Sequence, residues 1–262
     1  MHKQTQSHSD VQENGVEDHN AKVGETDAPL DQKLNQTNPD DKDADIPPVG
    51  DASTVLHGSY GTVFAALHEG PQRTKLVAIK FETTNNSTHI RDEALILRCL
   101  SGSTHFAKFY RYSKYQGFKF LTMEMLGPCM LDIVNRVRPY RFTLQSLLKF
   151  GIQGVEALEA LHNAGYVHYD IKPGNFVIGN TKETSGIFYL IDFGLCKKID
   201  FKTDKIRNRN GIVGLRGTLR YASLNAHHKL ELGPCDDLMS LLYVLIEFYT
   251  GKLPWIDMKD IV

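Results

Sequence analysis

Phenylalanine, tyrosine and tryptophan are absent from the first 50 residues of this 262-residue chain. Such a stretch cannot bury enough apolar area to offset the entropy of ordering it, so residues 1–50 are expected to form a disordered acidic tail. The tail is also poor in positive charge: 4 Lys/Arg stand against 11 Asp/Glu, a balance of −7, whereas residues 51–262 carry +6. Cysteine is sparse. Cys99, Cys129, Cys196 and Cys235 include no CxxC pair, which excludes a recognisable zinc ribbon or a dense disulfide framework and fits reduced thiols in a cytoplasmic or nuclear protein. No apolar core marks a signal peptide at the N-terminus. The most apolar run, Leu238–Tyr249, is too short to span a bilayer and contains Glu247, so it reads as a buried helix and no membrane partner is expected. The eleven histidines lack metal-ligand spacing. A net charge of −1 with no nucleic-acid motif argues against a nucleic-acid partner.

What is present changes character along the chain. Pro47-Pro48 closes the tail. Thr62–Leu67, Leu76–Phe81 and Phe118–Met123 are rich in β-branched and aromatic residues and read as strands. Between them, Ile90–Leu100 has apolar residues near helical spacing. From Thr143 the period lengthens: Leu144, Leu147, Leu148, Ile152, Val155, Leu158 and Leu161 recur at three- and four-residue steps. Thr143 is placed to cap that helix and Gly165 to stop it. Phe188–Ile191 is a further short strand. Strands first and helices after predict an α+β chain in two lobes, about 51–126 and 127–262.

Five features carry chemistry. Gly58 and Gly61 flank Ser59-Tyr60 between two strands; the pair suits either a plain hairpin or a turn whose backbone approaches phosphates. Lys80 ends an apolar strand, where it either snorkels to the surface or serves a site. In His168-Tyr169-Asp170-Ile171-Lys172-Pro173-Gly174-Asn175, a carboxylate, a lysine and an amide converge in one loop just after a helix. Asp192-Phe193-Gly194 follows a strand. Gly217-Thr218 through Ser223, with Asp236-Asp237 downstream, completes the set. Each has an ordinary structural reading by itself; their joint order and spacing do not.

The constellation resembles the eukaryotic protein kinases over about residues 51–262. Met123-Glu124-Met125-Leu126-Gly127-Pro128 and Tyr221-Ala222-Ser223-Leu224-Asn225 are similar to the casein kinase 1 superfamily. The run from Leu215 to His227, with Glu247-Phe248 through Leu253-Pro254-Trp255, looks closest to its tau-tubulin kinase branch. The resemblance implies a bilobal kinase-like fold and transfer of a phosphoryl group from ATP, with Mg2+, to serine or threonine of protein substrates. Gly58 and Gly61 would lie over the phosphates. Lys80, held by Glu93, would pair with the α- and β-phosphates. Met123 would guard the back of the adenine pocket, with Glu124 and Leu126 offering backbone hydrogen bonds. Asp170 would orient the substrate hydroxyl and accept its proton, and Lys172 would stabilise the γ-phosphoryl charge. Asn175 and Asp192 would be the metal ligands. Thr218 would buttress the catalytic loop, and Asp237 would brace its backbone. A monomer is expected.

Three departures accompany the resemblance. Leu56 stands where the first loop glycine belongs. Tyr169 replaces the arginine that normally grips a phosphate on the activation loop, so loop phosphorylation is not the expected switch. The chain stops seven residues past Trp255, which implies a curtailed helical lobe, uncovered apolar surface on the Leu238–Tyr249 helix, and poor solubility. These departures also suit an alternative, a pseudokinase or nucleotide-binding scaffold of the same fold. The basic run of Lys197, Lys198, Lys202, Lys205, Arg207, Arg209, Arg216 and Arg220 reads either as a solvated loop or as a site for acidic or phosphorylated substrates, with Arg216 and Arg220 foremost.

Overall fold

The computed structural model describes residues 53–58, 61–69, 74–82, 89–199 and 217–257. The acidic tail, the Ser59-Tyr60 tip, and Lys202, Lys205, Arg207, Arg209 and Arg216 of the basic run lie outside them. The first part is a five-stranded antiparallel sheet in the order β1-β2-β3-β5-β4. Its strands are β1 Ser53–Gly58, β2 Gly61–Glu69, β3 Thr74–Phe81, β4 Phe109–Tyr115 and β5 Phe118–Glu124. Helix α1, His89–Cys99, packs on one face between β3 and β4 in the chain.

Strand alternation sorts the side chains of this sheet. Val77 and Ile79 join Ala66 and Phe120 in a small apolar cluster on one face. Lys80 lies opposite Leu121 in the β3–β5 ladder, and Leu121 belongs to the larger core shared with α1. On α1, Ile90, Glu93, Ala94 and Leu97 recur at i, i+3, i+4 and i+7 and are all buried. One carboxylate therefore enters an otherwise apolar helix face, directed at the sheet.

The second part is mainly helical: α2 Met130–Arg136, α3 Leu144–Asn163, α4 Leu224–His227 and α5 Pro234–Thr250. Between α3 and α4 come two short antiparallel pairs. Strand β6 (Tyr166–Val167) pairs with β9 (Lys197–Lys198), and β7 (Phe176–Ile178) pairs with β8 (Phe188–Leu190). Helix α3 begins as its composition predicts, with the Thr143 side chain accepting from Ser146 N–H at 3.2 Å. It ends at Gly165, whose φ of 87° is the left-handed geometry that favours glycine. Helix α5 starts at Pro234, earlier than the apolar pattern suggests, and Asp236 accepts from Gly233 N–H at 2.8 Å at its start. Helices α3 and α5 meet where Gly151 and Gly154 face Leu245 and Leu241. Phe150, Leu158, Leu161, Leu241, Val244 and Phe248 fill the core beneath.

Outside that core, Leu144, Leu148, Ile152 and Val155 of α3, with Leu238, Met239, Leu242 and Tyr249 of α5, are exposed. Among the described residues, no helix is long and apolar enough to cross a membrane. All four cysteines are free.

Candidate active site

Lys80 is buried, and its ammonium lies 2.6 Å from Glu93 Oε2 and 3.2 Å from Asp192 Oδ1. Burial by itself would lower the lysine pKa; the two carboxylates outweigh it and hold the group charged, well above the ordinary lysine range. Glu93 is pushed above the usual carboxylate range, first by burial and further by Asp192, against the pull of Lys80. Asp192 is held below its usual value: burial opposes, and Lys80, then His168 and Lys172, prevail. Strand, helix and turn thus converge on one cation.

Asp192 has φ 68°, opening the turn Phe193–Leu195. Phe193 is buried beside Phe106, with ring centroids 5.9 Å apart. Seating of the aromatic ring in the core fixes the preceding carboxylate toward Lys80.

Asp170 is the second focus. Its Oδ1 accepts from the Thr218 hydroxyl at 2.7 Å and its Oδ2 from Lys172 Nζ at 2.5 Å. Asn175 Nδ2 donates to the Asp170 carbonyl at 2.8 Å, which leaves the amide oxygen to accept or to ligate. Ile191 N–H donates to the Asn175 carbonyl at 3.0 Å, so Asn175 lies beside the segment that delivers Asp192. Lys80, Glu93, Asp192, Asn175, Lys172, Asp170 and Thr218 therefore form one contiguous network between the sheet and the helices.

The loop carrying Asp170 is braced from below. Asp237, in the first turn of α5, accepts from His168 N–H at 2.7 Å and Tyr169 N–H at 3.0 Å. His162, in the last turn of α3, adds its Nε2 at 2.9 Å. Tyr169 has φ 71°, and its carbonyl lies 2.4 Å from where a Cβ on Gly217 would stand. Only glycine fits there, at φ 83°. The sequence points to Asp237 but carries no direct sign of His162 or of the steric demand on Gly217. A histidine one helix turn before a Gly165-type stop was the available signal for the first. The second depends on a non-local approach.

The remaining expected residues line the same region. Gly58 and Gly61 pair across the β1–β2 end, two residues beyond Val63, which pairs with Lys80. Met123 lies opposite Ala78, and Glu124 opposite Val77. Glu124 N–H is committed to the Lys108 carbonyl at 2.9 Å. Among the described residues, Leu126 N–H and C=O have no backbone partner. Gly127 N–H donates to Ile178 at 2.8 Å and ties this connection to β7. Arg220, a candidate for acidic substrates, is about half exposed and lies 3.6 Å from Glu247 Oε1.

No three His, Cys, Asp or Glu side chains among the described residues gather as a self-sufficient metal site. Asp192 and the Asn175 amide supply two oxygen donors, which fits Mg2+, a cation that takes one or two protein ligands and completes its shell with phosphates and water.

The protein kinase domain model matches residues 52–261. A probable serine/threonine-protein kinase of Dictyostelium discoideum is 36% identical over 207 residues, covering 79% of this chain and 41% of that protein. A putative casein kinase I of Caenorhabditis elegans is 31% identical over 216 residues, covering 79% of this chain and 61% of that protein. The chain thus spans less than two thirds of either relative. With the lysine–glutamate pair, the Asp170 loop and the Asp-Phe-Gly turn joined in one network, the chain belongs to the protein kinase family.

Proposed function

We propose that this chain transfers the γ-phosphoryl group of ATP, with Mg2+, to serine or threonine hydroxyls of protein substrates. The observation that carries the reading is the Lys80 ammonium held between Glu93 and Asp192 beside the Asp170–Lys172–Asn175 cluster. Phosphoryl transfer needs little covalent help and much positioning and charge, and this network provides both. Lys80 binds the α- and β-phosphates beneath the Gly58–Gly61 turn. The Glu124 carbonyl and the Leu126 backbone bind adenine in front of Met123. Asn175 and Asp192 would hold the metal, which supplies charge neutralisation on the phosphates. Asp170 orients the acceptor hydroxyl and takes its proton, while Lys172 faces the transferring group.

The kinase region is assigned to 51–262, with lobes at about 51–126 and 127–262, following a tail at 1–50. Within the family we place the chain in the tau-tubulin kinase branch, acting as a monomer on acidic or phosphorylated proteins in the cytoplasm or nucleus. Lys198, exposed on β9, supports the substrate class more directly than Arg220, which Glu247 engages; Arg216 lies outside the described residues. The test is radiolabelled phosphate transfer to casein with Asp170→Asn alongside. Loss of the base is expected to lower turnover about a hundred- to ten-thousandfold. Nucleotide binding without turnover in the parent chain would instead support the scaffold reading, which Tyr169 in the arginine position motivates.

A further inference from the structure

The strand β9, the catalytic loop and the linker between α4 and α5 close a ring of contacts. Val167 and Lys197 are partners in the β6–β9 ladder. The Lys197 ammonium forms an ion pair with Glu231 in the linker. The next linker residue, Leu232, accepts a hydrogen bond through its carbonyl from the Tyr169 hydroxyl at 3.2 Å. Tyr169 is two residues from Val167 in the chain and adjacent to Asp170, and the ring is then complete. Its ring system is buried, and its backbone holds φ 71°, a geometry that a bulky residue keeps only when neighbours fix it.

We infer that Glu231 and Leu232 form a built-in clasp, gripping β9 through Lys197 and the catalytic loop through Tyr169, so that Asp170 is positioned without a phosphate on the activation segment. The carboxylate of Glu231 supplies the fixed negative charge that Lys197 pairs with. A tyrosine hydroxyl donates to the neighbouring carbonyl, where an arginine would call for an anion. Tyr169, Lys197 and Glu231 are positioning residues: each acts on the base through the backbone it holds. The inference rests on the proposed phosphoryl transfer for its kinetic consequence and on contacts alone for its structural one.

The experiment compares the full chain with Tyr169→Phe, Glu231→Gln, their double variant, and the charge swap Lys197→Glu with Glu231→Lys. It follows both casein phosphorylation and amide exchange in residues 166–170 and 197–198. Each single variant is expected to speed exchange in both segments and to lower kcat about tenfold, with KM for ATP changed less than about twofold. The double variant is expected to lose no more than the weaker single, since either change opens the same ring. The charge swap recovers most of the protection and rate. Phosphatase treatment of the parent chain leaves its rate unchanged. Unaltered exchange in both singles, fully additive losses, or a rate that falls on phosphatase treatment would overturn the clasp. If the parent chain turns nothing over yet exchange responds as described, the clasp stands and the catalytic reading fails. If it turns over but neither readout moves in the variants, the clasp fails and the catalytic reading stands.

Discussion

The Thr218 hydroxyl donates to Asp170 Oδ1 at 2.7 Å across 48 residues of chain. It occupies one carboxylate oxygen and turns the other toward Lys172. Thr218→Ala removes that restraint without touching the nucleotide residues. We expect kcat to fall about ten- to a hundredfold with KM for ATP nearly constant, and Thr218→Ser to recover most of the rate. Steady-state kinetics on the three proteins checks this.

Lys80 is the only cation that Glu93 meets at ion-pair distance among the described residues, and both side chains are nearly inaccessible. Lys80→Met would strand a buried carboxylate, at a cost of roughly 3–5 kcal/mol. Adding Glu93→Gln should return part of that stability and none of the activity. Urea unfolding separates the two effects; a Lys80→Met chain as stable as the parent would refute the burial argument.

Gly217 and Gly174 lie in neighbouring loops but differ in what surrounds them. A Cβ on Gly217 collides with the Tyr169 carbonyl at 2.4 Å, whereas one on Gly174 meets nothing within 4 Å. Gly217→Ala should destabilise by about 1–3 kcal/mol and depress turnover through the displaced loop. Gly174→Ala should stay within about 0.5 kcal/mol of the parent. Thermal melts of the pair test the contrast.

Much of this arrangement was legible in the sequence because the order of features, rather than any one of them, selects it. Lys80, Asp170 and Asp192 are far apart in the chain, yet each follows a strand or helix whose period is readable. Thr143 and Gly165 mark their helix ends by chemistry that acts within a few residues. The start of α5 was hidden because its first turn, Pro234 to Asp237, is capped by polar contacts while the apolar pattern begins at Leu238. The Lys197–Glu231 pair was hidden for another reason. It depends on β6 and β9, strands of two residues each, too short to leave a period. Gly217 is required by a carbonyl that arrives from a loop 48 residues earlier.

The exposed apolar residues of α3 and α5 bear on handling. Ile152 is 61% and Leu242 46% accessible, so their removal opens no cavity. Ile152→Glu with Leu242→Glu is expected to leave the melting temperature nearly unchanged, each within about 0.5 kcal/mol, while reducing self-association. Light scattering over a concentration series measures the second effect, and equal scattering from both proteins would assign any association to another surface.

Asp192 and Glu93 face the same lysine but respond to acid in opposite senses. Asp192 titrates below its ordinary 3.8, so its stabilisation is present above that pH and is lost as pH falls through its folded value. Glu93 titrates above its ordinary 4.5, so its contribution is complete below 4.5 and is lost as pH rises through its folded value. Part of the Glu93 shift comes from Asp192 itself. Asp192→Asn should therefore do two things at once. It abolishes the acid loss attached to Asp192, and it brings Glu93 down toward 4.5, shrinking the loss on the high side. Stability measured in urea from pH 3 to pH 7 without added metal should give a flatter profile for Asp192→Asn than for the parent. Superimposable profiles would mean that burial, rather than the neighbouring carboxylate, holds Glu93 above its ordinary range.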